Sequence, residues 1–158
     1  MAKFRYRMQN VLNIKLSMER QAKQQYAEAN AKLREEEQKL NVLFRRKFEY
    51  EQTARQLLAD DLNVREITQN NEAILRMEDF ITQQQREVQI ALRAVEKARQ
   101  KMTEVMQDRK THERLREKAF DEFLMEEKQH ESKEIDELVS YTYGQRLRET
   151  GHGESNST

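Results

Sequence analysis

No glycine and no proline occurs before Gly144 in a chain of 158 residues. Tight hairpin turns and loop-rich folds depend on those two residues, for positive φ and for fixed φ respectively. A stretch of 143 residues without either is therefore long helix or disorder. Charged residues make up 37% of the chain and apolar residues 36%. That is too little apolar material to fill one conventional globular core at native density. Low hydrophobicity alone would favour disorder, but 29 basic residues balance 29 acidic ones, and the apolar residues are strongly periodic.

The period is seven. Ile67, Ile74, Ile81, Val88, Val95 and Met102 stand seven apart. Three residues after each come Asn70, Met77, Gln84, Ala91, Ala98 and Val105. These are the a and d positions of a coiled coil, with β-branched residues favoured at a. An earlier seam alternates four and three apart through Ala22, Tyr26, Ala29, Leu33, Glu36, Leu40, Leu43, Lys47, Tyr50, Ala54 and Leu57. Glu36 and Lys47 break its apolar character. Long charged side chains of this kind are expected to snorkel out of a narrow seam; the alternative is that they mark register.

Between the seams lie Asp60, Asp61 and Asn63, which are poor in helix interiors and good at caps. Asn63 and Glu66 have the spacing of a capping box. The pattern predicts an all-α antiparallel hairpin of residues 1–150, with one helix over about 3–59, a turn at 60–63 and a second helix over about 64–143. Residues 151–158 read as a disordered tail. The helices would be about 85 and 120 Å long at 1.5 Å per residue. Residue i then faces about 123 − i, which sets Phe4 near Ala119 and leaves residues beyond about 120 as an overhang.

Charge is neutral in sum and uneven in distribution. Residues 1–20 hold five basic residues against Glu19, a net of +4, whereas residues 117–137 hold nine acidic and three basic, a net of −6. These are either solvated faces or two docking patches of opposite sign. The first seam runs through Lys15 and Glu19, the second through Arg109, His112 and Arg116, so the seam is expected to be weak there and to await a partner. Phe44, Phe48, Leu75 and Phe80 lie off the seams at matching levels and form a candidate protein contact.

Little chemistry can be built from these residues. There is no Cys, no Gly-rich phosphate loop and only three His. Glu127 and His130 have the Glu-x-x-His spacing of di-iron bundles, but those sites need a second copy on a facing helix. The expectation is no enzyme, no metal and no cofactor. No strongly basic stripe favours nucleic acid, and no concave pocket is foreseen for a small-molecule substrate. No signal sequence or membrane span is visible, which predicts a cytoplasmic protein, monomeric in isolation.

Both ends of the chain resemble one family. The start reads Phe4-Arg-Tyr-Arg-Met-Gln-Asn-Val-Leu12 and leads into Lys15-Leu-Ser-Met-Glu-Arg-Gln-Ala22. The far end reads Arg114-Leu-Arg-Glu-Lys118, Glu126-Glu-Lys128 and Glu134-Ile-Asp-Glu-Leu138. This is similar to FliJ, a soluble component of the flagellar type III export apparatus. The resemblance implies a non-catalytic stalk like the rotor of rotary ATPases, at the cytoplasmic face of the inner membrane. It implies docking on a hexameric export ATPase, contact with the export-gate membrane protein, and contact with export chaperones. Carried onto this chain, Arg5, Arg7 and Lys15 with Glu126, Glu127, Glu134, Asp136 and Glu137 become candidates for the ATPase. Phe44, Phe48, Leu75 and Phe80 become candidates for the gate. A generic coiled-coil tether, or a chaperone holding export substrates, would have the same heptads.

Overall fold

The computed structural model describes residues 2–153. Two helices account for nearly all of them: α1, Gln9–Ala59, and α2, Val64–Gly153. The chain divides into two compact units, Lys15–Arg109 and Met1–Ile14 with Lys110–Thr158.

In the Lys15–Arg109 unit, α1 and α2 pack antiparallel through the two predicted seams. The seam positions are the shielded ones. Ala22, Ile81, Ala91 and Val105 are buried, while the other apolar seam residues are half-buried, Tyr50 the most open of them at 37%. Two helices cannot wrap a side chain on all sides, and among the described residues no large side chain is fully buried. Stability is thus spread over many thin layers rather than concentrated in a core.

The connection is Asp60–Asn63, with no residue of positive φ among those described. Asn63 closes it as an N-cap. Its Oδ1 accepts from the Arg65 N–H at 3.2 Å and the Glu66 N–H at 3.5 Å, and its carbonyl accepts from Ile67 at 3.1 Å. Among the described residues only the Asn63 half of the capping box forms. One cap and four exposed residues suffice to reverse the chain because both helices are held by the seam.

Three seam residues are polar and buried: Glu19, Glu36 and Asn70. Glu36 does not snorkel. It is 5% exposed, and the Gln84 side-chain amide on α2 donates both to its carboxylate and to its backbone carbonyl. Lys32 and Lys39, a turn away on either side, reach the same carboxylate at 2.9 and 3.5 Å. A carboxylate with that many donors is held in the seam, as a register-marking residue would be. Lys47 does extend past the seam, to Glu78 at 3.5 Å and Glu51 at 3.7 Å. Asn70 donates to the Tyr50 carbonyl at 2.9 Å.

Both outer helix limits differ from the periodicity reading. Residues 2–6 are not helical, Arg7 and Met8 form a turn, and the Gln9 N–H donates to the Tyr6 carbonyl at 3.2 Å. The reason is tertiary: Phe4 is drawn onto α2, as set out below. At the other end α2 passes through Gly144 and runs on to Gly153. A lone glycine costs a helix about 1 kcal/mol relative to alanine, and Gln145 through Glu149 are good helix formers. The predicted tail is therefore helical at residues 151–153; its remainder, 154–158, lies outside the described residues.

Candidate partner-binding surfaces

The unit formed by the chain ends carries most of the candidate residues. Phe4, on the non-helical arm, packs edge-on against Phe120 with ring centroids 5.1 Å apart, and against Phe123 at 5.4 Å. Phe120 and Phe123 themselves lie 6.5 Å apart, one helical turn along α2. The Arg116 guanidinium sits 5.9 Å above the Phe4 ring and donates through Nε to Gln9 at 3.0 Å. Aromatic pairs in this geometry and a cation over a ring face each add about 0.5–1 kcal/mol beyond buried area. One aromatic side chain thus clasps the arm to α2, and Leu12 in the same unit is buried.

The clasp extends the partnered part of α2. Mirror arithmetic ends the pairing at about residue 120, whereas Phe4 reaches Phe123, and Glu127 is still half-shielded. Arg5 and Arg7 are exposed on the clasped arm. On α2, Glu126, Glu134, Asp136 and Glu137 are exposed, and Glu134 lies 3.3 Å from His130 Nδ1 as an i,i+4 pair. Replacing Phe4 with alanine is expected to release the arm. Amide exchange should accelerate in residues 3–12, while the Lys15–Arg109 hairpin keeps its melting temperature.

The charged stretch of seam is matched within the chain. In the Lys15–Arg109 unit, Lys15 bonds Asp108 at 2.7 Å, at the mirrored position itself. Arg109 grips the Glu19 carboxylate through Nε at 2.6 Å and a second nitrogen at 3.2 Å, and Lys23 adds a contact at 3.2 Å. The Arg109 hydrogen bonds hold the Glu19 carboxyl below the usual carboxylate range, against the opposing effect of its burial. The expectation that these residues need a partner to satisfy them does not survive. Lys15 in particular is committed to its seam.

The apolar candidates are exposed as expected, from 44% at Phe44 to 61% at Leu75. They do not form one patch. Phe44 follows a seam a residue by four, at e, while Phe48 and Leu75 each follow one directly, at b. In an antiparallel pair those positions share a flank, the flank on which Lys47 reaches Glu78. Phe80 precedes Ile81 and falls at g, on the opposite flank. Among the described residues the rings of Phe44, Phe48 and Phe80 make no aromatic contact with one another.

The family model of the flagellar FliJ protein matches residues 4–148, from the clasping Phe4 to the last turns of α2. The chain belongs to the FliJ family. No curated protein and no solved structure was found to match it. FliJ membership makes the chain a flagellar export component, working in protein transport with the export machinery. Among the described residues of this FliJ chain, no helix is long and apolar enough to cross a membrane.

Two features went unread in the sequence. The aromatic clasp was available from the mirror arithmetic, since Phe120 and Phe123 lie one and four residues past Ala119, the position opposite Phe4. The Glu36–Gln84 pair was available too, as polar seam residues within a turn of opposed levels, while Arg109 reaches Glu19 from more than a turn beyond its mirrored position. Both signals needed side chains to be matched across the hairpin and not along one helix.

Proposed function

We propose that this chain is a non-catalytic stalk of the flagellar export apparatus, docking its terminal unit on the export ATPase ring and stimulating it. The observation that supports this reading is the clasped arm: two exposed arginines, Arg5 and Arg7, are presented from a fixed mount, with an acidic α2 segment in the same unit. Rim charges of this kind act on association rate and salt dependence. Lys15 drops out of the proposed contact because Asp108 holds it. Phe44, Phe48 and Leu75 on one flank are offered to the export gate, and Phe80 on the other; escort chaperones are a further class of partner. The chain would work in the cytoplasm, peripheral to the inner membrane.

Reversing Arg5 and Arg7 to Glu should lower stimulation of the export ATPase several-fold at low salt and flatten its dependence on ionic strength, with helicity unchanged. Amide exchange in residues 3–20 and 105–140 should slow when the ATPase is added. Slowing confined to the neighbourhood of Phe44 and Phe80 would reverse the proposed orientation.

A further inference from the structure

Past Phe123 the apolar face of α2 changes sides. Continued in the same heptad, the seam would run through Glu126, His130, Lys133, Glu137, Ser140 and Gly144, none of them apolar enough to pack. A new four-three alternation runs through Leu124, Lys128, Glu131, Ile135, Leu138 and Thr142, apolar at Leu124, Ile135 and Leu138, with Val139 and Tyr143 beside it. At 100° per residue this stripe lies well over 90° around the helix from the seam frame. It is open along its length, from 48% exposure at Leu124 to 66% at Tyr143. A helix that only extended the seam outward would not build a second apolar face on its far side.

The charges within that stripe are ordered. Lys128 and Glu131 precede its apolar centre, and Arg146 and Glu149 follow it. Turned end for end about a point between Leu138 and Val139, the sequence complements itself. Glu131 meets Arg146, Lys128 meets Glu149, Ile135 meets Thr142, and Leu138 meets Val139. In parallel alignment each charge would meet its own kind. The arm preceding α1 does not supply the cover, since Phe4 is already held by Phe120 and Phe123.

We propose that this stripe is a self-association surface, on which the α2 segments of two copies pair antiparallel about Leu138 and Val139. Such a contact is isologous, and every charge pair in it occurs twice. One stripe per copy buries on the order of 1,000 Å² in total, which places the pair in the weak, reversible class. The hairpin itself is complete in one chain, so the protein is a monomer when dilute and a dimer when concentrated. Should the same segment dock on an ATPase, as proposed above, pairing would hold it in reserve; that consequence alone rests on the earlier reading.

Sedimentation velocity of the full chain, from low micromolar to near-millimolar concentration, tests the proposal. A concentration-dependent monomer–dimer equilibrium is expected, and Leu138→Asp should abolish it while helicity and melting of the hairpin stay unchanged. Glu131→Arg and Arg146→Glu should each weaken the dimer about tenfold, because each places like charges together twice. The double exchange in one chain should restore the dimer to within about threefold, which only the antiparallel register allows. A monomer at every concentration, a dimer indifferent to Leu138→Asp, or single charge reversals without effect would overturn the proposal. None of these readouts uses the ATPase. Loss of ATPase docking with the dimer intact would count against the earlier reading and leave this one standing.

Discussion

Ile81→Asp is expected to unfold the hairpin at ambient temperature. Ile81 is 6% exposed at an a position of the seam. An aspartate there loses the transfer energy of a large aliphatic side chain and buries a carboxylate with no donor placed for it. The combined loss is about 4 kcal/mol or more, comparable with the whole stability of many domains. The contrast that gives the experiment its meaning is Phe44→Ala. Phe44 is 44% exposed on a flank, and its truncation should cost no more than about 1 kcal/mol. Helicity followed by circular dichroism, with thermal and urea melts, separates the two. If Phe44→Ala unfolds the chain as Ile81→Asp does, the flank residues belong to the packing and not to a partner.

That contrast shows how far the sequence could be read. Side chains repeating along one helix are visible in the sequence, because their spacing alone reports the buried face. The seams from Ala22 to Leu57 and from Ile67 to Val105 are of this kind, as is the turn that Asn63 caps. Contacts chosen between helices are less visible. Glu36 looks like an intruder in its own helix, and only Gln84 on the facing helix, with Lys32 and Lys39 beside it, explains why it stays inside. Phe4 looks like part of the first helix by composition, and only the two rings on α2 explain why residues 2–6 leave the helix. Gly144 looks like a stop, yet a glycine stop uses the left-handed conformation, and no described glycine has positive φ. The candidate surfaces divide in the same way. Exposure of Phe44, Phe48, Leu75 and Phe80 followed from one-helix spacing, but their division between two flanks required the antiparallel pairing.

The polar layers carry the second large effect, and its size depends on whether one partner is removed or both. Arg109→Ala leaves the Glu19 carboxylate, 6% exposed, without its bidentate partner; Lys23 remains, on a longer and more exposed contact. The expected loss is about 2–3 kcal/mol, below that of a fully buried pair because Arg109 itself is partly solvated. Replacing both residues by leucine should recover most of that loss, since an apolar pair suits the seam and no charge is left stranded. Acid should reproduce part of the effect. Donation from Gln84, with Lys32, holds the Glu36 carboxyl down from 4.5 to about 2, and Arg109 lowers that of Glu19. Both are depressed in the folded chain, so their contribution is complete above the unfolded carboxylate range. It is lost as pH falls from about 4.5 toward 2. Melting temperature should therefore fall through that window and change little from pH 5 to 7 on account of these groups. Glu36→Gln should flatten the fall, because a neutral amide at that position has no proton to take up. A fall as steep in Glu36→Gln as in the parent chain would mean that Glu36 is not held in the seam, and that its pairing with Gln84 does not set the register of the hairpin.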